Sequence, residues 1–302
     1  MSVNRPWVAI QRNPKSGAGS GRTQLLELIA HLRKQGLRPR LFSRRERLNK
    51  CLDDPQRREN LACVVAAGGD GTVGDVINRF PGLRVAILPL GTENLLARYL
   101  RIPHSGQAVA EIIAAARTRR LDLCSVGDRR FAIMASFGFD ADVVHRTHAR
   151  RTGHLTKFSY LQPIYHSLRK YRYPELRLYL DDAEVPVCGR LAILVNLPVY
   201  AMGLRVAESA RGDDGHLDLR LFQRRSAFQM LRYLYKVSLG MHEELDDVQT
   251  AWAQRVRIEA DEPVPIQVDG DPAGWTPAEI LVLPSALDVL VPDAEQNDNL
   301  RQ

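Results

Sequence analysis

The sequence predicts a parallel α/β domain followed by a mainly antiparallel, β-rich domain. Two observations favour this division. Apolar runs alternate with glycine-rich turns and amphipathic stretches up to residue 121, which is typical of a parallel sheet covered by helices. Beyond that point, strand-like segments joined by hairpin-like turns predominate. We therefore expect domains at residues 1–121 and 122–292, and a polar tail at 293–302.

Three strand–turn–helix units make up the first domain. The predicted strands are WVAIQRNP, LACVVAAGG and RVAILPL, and the predicted helices are RTQLLELIAHLRKQG, TVGDVINRF and LLARYLRI. Each strand runs into a glycine-bearing turn: KSGAGSG, GGDG or GTEN. The carboxyl ends of parallel strands meet at one edge of the sheet, where ligands bind. The three turns therefore predict a binding site at that edge.

The second domain is predicted from five strand-rich stretches and two helical ones. The strand-rich stretches are DLCSVGDRRFAIMASFGF, ELRLYLDDAEVPVCGRLAILVNLPV, GHLDLRLFQ, RVRIEADEPVPIQVDGD and AEILVLPSALDVLVP. The helical stretches are 141–171, broken near Pro163, and 226–241. We interpret the aromatic stripe in AFQMLRYLYKV as core or interdomain packing rather than a lipid site, and His145 and His148 as part of a solvated helix face.

Composition favours a cytoplasmic protein that meets anionic partners. No apolar run reaches the roughly 18 residues that a membrane span needs, and the N-terminal segment lacks the features of a secretion signal. Four widely spaced cysteines indicate packing residues in a reducing compartment. The net charge of +7, carried by short arginine clusters, favours peripheral contact with an anionic membrane. No nucleic-acid partner is expected, because aromatic–basic RNA signatures are absent.

The second turn, AAGGDGTVGDVIN, raises a problem of charge. Backbone N–H groups at a helix start attract phosphate, yet Asp70 would repel it. A Mg²⁺ ion held by Asp70 resolves the conflict, since hard cations bridge carboxylates and phosphates; the alternative is that Asp70 merely caps the helix. Thr72 and Thr92 are predicted helix caps, and Asn94 is predicted to bind a sugar or phosphate. The first turn fits neither G-x-G-x-x-G nor the P-loop, so a plain flexible turn explains it equally well.

Together the motifs resemble the diacylglycerol kinase catalytic domain family, which includes bacterial lipid kinases, sphingosine kinases and ceramide kinases. The resemblance spans nearly the whole chain and rests on NPKSG, GGDGT with Asn78, PLGTEN with Ala97 and Arg98, AESARGDDGHLDL and VDGDPAG. It implies a Rossmann-like N-terminal domain, with a parallel sheet like that of NAD kinases and phosphofructokinases, and a β-sandwich-like C-terminal domain. It further implies ATP- and Mg²⁺-dependent phosphorylation of a lipid hydroxyl, with the nucleotide between the two domains.

The resemblance also assigns residues. Those expected to contact ATP are Asn13, Pro14, Lys15, Ser16, Gly17, Ser43, Gly69, Asp70, Gly71, Thr72, Val73, Gly74, Asp75, Thr92 and Asn94. Asp214, with the backbones of Arg211 and His216, matches a structural magnesium site seen in some members. Asp70, Asp269 and Asp271 are the expected catalytic residues.

The sequence departs from the family at three places. Asp75 replaces a usual glutamate, Leu95-Leu96 replaces a usual Asp-Phe, and Asp271 replaces the glutamate proposed to accept the proton. Asp271 has a reach about 1.5 Å shorter than glutamate. On an extended segment Asp269 and Asp271 would face the same side and share the magnesium and base functions.

Competing functions remain at this point. One is another GGDG kinase, acting on NAD or a sugar phosphate. A second is a non-catalytic basic module that binds nucleotide or membrane. The choice between diacylglycerol and a sphingosine-like alcohol stays open, as does a homodimer.

Overall fold

The structure, a computed structural model, describes residues 6–13, 20–150, 157–200, 203–204 and 206–293. Ser43, Asn13 and the aspartates of the predicted site fall in these ranges, whereas Pro14, Lys15, Ser16 and Gly17 lie outside them. The described residues divide into two compact units. One contains the chain up to Leu121 together with the chain from Ser285 onward, and the other contains Asp122–Pro284.

The first unit is built on parallel strands, as predicted. Its elements are β1 (Trp7–Arg12), α1 (Ser20–Lys34), β2 (Arg38–Phe42), α2 (Arg45–Leu52), α3 (Pro55–Glu59), β3 (Leu61–Gly68), α4 (Asp70–Arg79), β4 (Val85–Pro89), α5 (Leu95–Tyr99) and α6 (Gly106–Ala115). The strand order is β2-β1-β3-β4, with parallel pairing throughout. β3 and β4 are almost wholly buried, which explains their unbroken apolar sequence.

Two antiparallel sheets form the second unit. Its elements are β5 (Thr118–Val126), whose first residues belong to the first unit, β6 (Arg129–Phe131), β7 (Met134–Gly138), α7 (Phe139–Ala149), α8 (Leu161–Lys170), β8 (Leu176–Leu180), β9 (Val187–Gly189), β10 (Leu191–Val195), β11 (Leu217–Phe222), α9 (Ala227–Ser238), β12 (Val248–Ala253), β13 (Arg255–Glu259), β14 (Pro265–Val268), β15 (Asp271–Trp275) and β16 (Ala278–Leu290). One sheet has the order β12-β11-β10-β7-β14-β15; in the other, β13 pairs with β16 and β8, and β8 pairs with β9. Both sheets contribute to one buried core that includes Phe137, Leu219, Leu178 and Ile258. The predicted sandwich-like fold is confirmed.

β16 contributes to both units. Its first residues pair antiparallel with β13 in the second unit. Its last residues return to the first unit, where Val289 pairs in parallel with Val85 of β4. Just beyond, the Val291 N–H donates to the Arg117 carbonyl. The sequence pattern did not indicate this return.

Several local expectations were wrong. The predicted helical stretch 141–171 is divided, but before Pro163: α7 ends at Ala149 and α8 begins at Leu161. Pro163 lies in the first turn of α8, where a missing N–H removes no helical hydrogen bond. The helices α2, α3 and α6 were not predicted from the sequence. In the case of α2, the segment is mostly polar and buries only Leu48, Cys51 and Leu52. Three cysteines pack inside, whereas Cys188 is exposed. Among the described residues, no helix combines the length and apolar character needed to cross a bilayer.

Candidate active site

Asp70 is half-buried in the turn between β3 and α4. Gly69 is the N-cap of α4, and Asp70 is its first residue. The Leu96 backbone N–H donates to Asp70 Oδ1 at 3.4 Å. Burial raises the pKa of Asp70, and the N–H groups of Leu95 and Leu96 oppose the rise. Asp70 therefore ties α4 to the start of α5 while keeping carboxylate oxygen capacity for a further partner.

Thr72 is not the helix cap that the sequence predicts, because Gly69 occupies that position. Its side chain lies under the turn: a Cβ added to Gly68 would come within 2.2 Å of Thr72 Oγ1. The hydroxyl is buried and has no hydrogen-bond partner among the described residues. A buried hydroxyl without a partner is costly, and this one lies in the turn where phosphate oxygens are expected.

The turn after β4 is shaped by Asn94. Its amide accepts from the Gly91 N–H at 2.9 Å and donates to the Gly91 carbonyl at 2.8 Å. Asn94 is buried, has left-handed backbone geometry (φ 48°) and is the N-cap residue of α5, the role predicted for exposed Thr92. In this structure the Asn94 side chain thus builds the turn, with both of its polar atoms engaged locally.

The second and third turns are in direct contact. The Leu90 N–H donates to the Gly68 carbonyl at 3.0 Å. A Cβ on Gly91 would lie 2.5 Å from Gly69 Cα, so the two backbones approach as closely as only glycine permits. The result is a side-chain-free backbone surface at the carboxyl edge of the sheet.

Asp75 is already neutralised within the first unit. Its carboxylate lies 2.5 Å from Arg79 and 3.3 Å from Arg45. Arg79 also donates to Gln11 on β1 at 3.2 Å and to Asn49 on α2 at 2.7 Å. Asp75 therefore anchors α4 to its neighbours, and it would contact a ligand while paired with these two arginines.

Two other predicted contacts sit at the same edge of the sheet. The Asn13 N–H, just after β1, donates to the Ala67 carbonyl on β3 at 3.3 Å. Ser43 follows the end of β2 and is exposed. Each follows a parallel strand at its carboxyl end, the edge of the sheet at which the sequence predicts a binding site.

Asp269 and Asp271 do not share one face. Asp269 is the first residue of the two-residue hairpin turn between β14 and β15, whereas Asp271 follows the turn and pairs with Val268. Asp269 and Gly270 both have positive φ, 49° and 82°, as the Asp-Gly pair of a type I′ turn requires. The extended segment assumed from the sequence is thus replaced by a reversal of the chain.

Both carboxylate oxygens of Asp269 accept from backbone N–H groups. Oδ2 accepts from Ala132 at 2.8 Å, and Oδ1 accepts from Ile133 at 2.9 Å and Met134 at 3.0 Å. Gln267 supports the turn by accepting from the Gly270 N–H at 2.9 Å. The geometry gives Asp269 a structural part in holding the hairpin against the segment before β7.

Asp271 remains accessible, with 41% of its side chain exposed. Arg129 donates to Asp271 Oδ2 at 3.0 Å and to the Pro272 carbonyl at 2.6 Å. His148 Nε2 lies 3.6 Å from Asp271 Oδ1 and 3.1 Å from the Gly270 carbonyl. A half-exposed carboxylate oriented by a guanidinium and an imidazole can accept a proton from an incoming hydroxyl.

The histidines of α7 were misassigned from the sequence. His145 Nε2 lies 2.8 Å from the Ile266 carbonyl, and its ring packs edge-on against Trp275 at 5.2 Å. His148 lies against the hairpin turn. The face is therefore packed on β14 and β15 rather than solvated. The sequence did contain a signal for this packing: a spacing of three residues, about one helical turn, places both histidines on the same face of α7.

The predicted structural magnesium site lies in a turn at 211–216. Asp214 is exposed, and its Oδ1 accepts from the His216 N–H at 3.1 Å. Asp122 Oδ2, which the sequence did not single out, accepts from the Gly215 N–H at 2.7 Å. Arg211 is exposed. Within the described ranges, no cluster of three or more His, Cys, Asp or Glu side chains has metal-binding geometry, so a cation here would depend largely on backbone oxygens and water.

Comparison with known proteins covers both units. Residues 8–126 match the profile of the diacylglycerol kinase catalytic domain, and residues 133–291 match that of the YegS C-terminal NAD kinase beta sandwich-like domain. A diacylglycerol kinase of Mycobacterium tuberculosis (strain ATCC 25618 / H37Rv) is 33% identical over 238 residues, covering 76% of each chain. One of Staphylococcus carnosus (strain TM300) is 24% identical and covers 96% of each chain.

A solved structure supports the fold. The crystal structure of a diacylglycerol kinase from Bacillus anthracis str. Sterne aligns with a TM-score of 0.70 and 18% identity, covering 96% of this chain and 98% of that one.

Proposed function

Because the chain belongs to the diacylglycerol kinase family, we propose that it transfers the γ-phosphate of ATP to a lipid hydroxyl in a Mg²⁺-dependent reaction. Diacylglycerol is the first acceptor to test, and a sphingosine-like alcohol is the second. The proposed location is the cytoplasm, with peripheral contact with the membrane where such lipids reside.

The observation that carries the proposal is the pair of touching glycine turns in the first unit. Gly69 and Gly91 leave no room for a side chain between them, so backbone N–H groups line the turn. Such a surface binds phosphate oxygens through short hydrogen bonds. The Thr72 hydroxyl, which has no hydrogen-bond partner among the described residues, lies buried directly beneath this turn.

The residues of this turn fit a magnesium ion. Asp70 would hold it, because a carboxylate at a phosphate-binding helix start needs a cation to be compatible with its ligand. When bound, Mg²⁺ neutralises negative charge on the transferring phosphate. Asn94 and Gly91 keep the neighbouring turn in place, and Asp75 fixes α4 through its two arginines.

The second unit supplies the proton acceptor in this proposal. The lipid hydroxyl oxygen forms the new bond to the γ-phosphorus, the bond from phosphorus to the β–γ bridging oxygen breaks, and ADP leaves. The hydroxyl proton passes to the Asp271 carboxylate. Arg129 and His148 orient that carboxylate, and Asp269 holds the hairpin that carries it.

The test is transfer of labelled phosphate from ATP across a panel of acceptors. The panel contains diacylglycerol, monoacylglycerol, sphingosine, ceramide and phosphatidylglycerol, with NAD and a sugar phosphate for the competing kinase functions. We expect a phosphorylated lipid that disappears when Mg²⁺ is chelated. Labelling of NAD or the sugar phosphate with no lipid labelled would refute the proposal, as would ATP binding without transfer to any acceptor.

A further inference from the structure

The helix α9 exposes one complete apolar face. Met230, Tyr233 and Val237 are buried beneath it, but Phe228 is 73% exposed and Tyr235 is 63% exposed. Leu231 and Leu239 are exposed on the same stripe, since 228, 231, 235 and 239 recur at helical spacing. The aromatic stripe, which the sequence predicted to be core or interdomain packing, is therefore buried on one side of the helix and exposed on the other.

The neighbouring helix α8 continues the exposure. It contacts α9 within the second unit, and Leu161 and Tyr165, four residues apart, are both about 60% exposed. We call the resulting patch the α8–α9 surface. Its members are Leu161, Tyr165, Phe228, Leu231, Tyr235 and Leu239. Large contiguous apolar patches are uncommon on proteins that meet only water, and they mark contact surfaces.

The charge around this surface identifies its partner. Neither helix contains an acidic residue. Arg169 and Lys170 end α8, Arg225 precedes α9 and Lys236 lies in its last turn. None of these four has an ion-pair partner among the residues that the structure describes. A partner with dense negative charge at the edge of an apolar layer matches this arrangement.

A second copy of the chain fits less well. A two-fold dimer through this surface would set each copy's patch against itself, bringing together helices that carry basic residues and no acidic ones of their own. Aromatic side chains beside lysine and arginine are instead the composition that interfacial helices use at the boundary of headgroups and acyl chains.

We propose that the α8–α9 surface is the membrane-docking surface of this protein, with its aromatic and leucine side chains inserted at the interface of a bilayer bearing anionic headgroups. The inference rests on the proposed function, since a lipid kinase must work at such an interface. Membrane docking through this surface differs from purely electrostatic attraction by the arginine clusters, because the apolar contribution to binding persists when salt screens the charges.

The first test compares vesicle binding by the full chain and three variants. The double variant Phe228→Ser with Tyr235→Ser removes two inserted rings, and Lys236→Gln removes one cation. Val185→Ser is the matched control, because Val185 is 80% exposed but lies between β8 and β9. All four proteins are sedimented with phosphatidylcholine vesicles, with and without phosphatidylglycerol, at low and high salt.

Each inserted ring should contribute roughly tenfold to partitioning, so the double variant should bind about a hundredfold more weakly at both salt concentrations. Lys236→Gln should weaken binding only to anionic vesicles and only at low salt. Val185→Ser should bind like the natural chain. Equal binding by the double variant and the natural chain would overturn the proposal, as would no binding by the natural chain.

A second test separates this inference from the proposed kinase function. Phosphate transfer is measured with diacylglycerol in vesicles and with a short-chain diacylglycerol dissolved as monomers. The double variant should lose activity on vesicles and keep it on monomers. If the natural chain phosphorylates neither substrate yet binds vesicles through this surface, the kinase proposal fails and the docking surface stands.

The oligomeric state decides the remaining alternative. Light scattering after size-exclusion chromatography should show the same mass for the natural chain and the double variant. A dimer that the double variant converts to a monomer, with vesicle binding unchanged, would assign the surface to self-association and overturn the proposal.

Discussion

Replacing Asp70 by asparagine and by alanine separates two roles for this carboxylate. If Asp70 serves only to connect α4 and α5, its value lies in the hydrogen bond from the Leu96 N–H. If it holds a metal, its value lies in its charge. Asparagine keeps the acceptor oxygen and removes the charge, whereas alanine removes both.

The structure sets the expected size of each effect. The Leu96 bond is long, 3.4 Å, so its loss in Asp70→Ala should cost about 0.5–1.5 kcal/mol of unfolding free energy. That corresponds to a fall in Tm of a few degrees, at about 2–4 °C per kcal/mol for a domain of this size class. Asp70→Asn should change the Tm less, because burial already disfavours the ionised form. Both variants should lose at least about a hundredfold in phosphate transfer, the scale of one electrostatic group acting on the transition state.

The assay pairs thermal unfolding with labelled phosphate transfer at saturating ATP and Mg²⁺. Asp54→Ala is the matched control, because Asp54 caps α3 by accepting from the Gln56 and Arg57 N–H groups. It should lose about 1 kcal/mol of stability and keep full transfer activity. Near-natural transfer by Asp70→Asn would refute the metal role and leave Asp70 as a connecting residue.

Three further predictions concern the second unit. Asp271→Asn should reduce phosphate transfer by about 10²–10⁴-fold with ATP binding and Tm unchanged. Asp271→Glu should be neutral or harmful, because Arg129 and His148 already fit the shorter carboxylate. Full transfer activity in the asparagine variant would remove Asp271 from the mechanism. Asp269→Ala should lose about 3 kcal/mol or more of unfolding free energy, since three backbone N–H groups lose a charged acceptor, and an unchanged melting curve would contradict this structural role. Burial lowers the pKa of His242, so the unfolded chain binds a proton at this residue before the folded chain does as the pH falls below about 6.5. The contribution of His242 to the free energy of unfolding is therefore full above that pH and declines below it. Thermal melts from pH 7.5 to 5 should show a shallower decline in Tm for His242→Gln than for the natural chain.

The parallel turns were predictable because glycine, burial and strand polarity act locally. Apolar runs ending in Gly68-Gly69 and Gly91 place both turns at one sheet edge, and the structure has them touching. The sequence did not indicate that the Asn94 side chain shapes the turn after β4, because its partners there are backbone atoms of that turn. A polar side chain that builds a turn and one that binds a ligand have the same sequence signature.

The second unit was harder to predict, because its decisive contacts are distant in sequence. Arg129 and His148 meet Asp271 across strands and a helix, and no local spacing encodes such a meeting. The hairpin turn could have been predicted from the sequence, because Asp-Gly between apolar strand residues is a strong signal for a type I′ turn. Treating that dipeptide as extended backbone caused the error about Asp269. The exposure of Phe228 and Tyr235 was hidden for another reason, since a helical stripe shows where apolar residues lie but not whether anything covers them.

The path of β16 has a consequence for how the chain is made. Because Val289 pairs with Val85, the first unit cannot complete its sheet until the whole second unit has been synthesised. On the ribosome, β4 would therefore wait with an unpaired edge while a full β-rich unit emerges and folds, a period of exposure to misassociation. An N-terminal fragment ending at Leu121 would keep that open edge permanently and should aggregate. A circularly permuted chain that places β16 ahead of β1 would instead supply the missing strand early in translation.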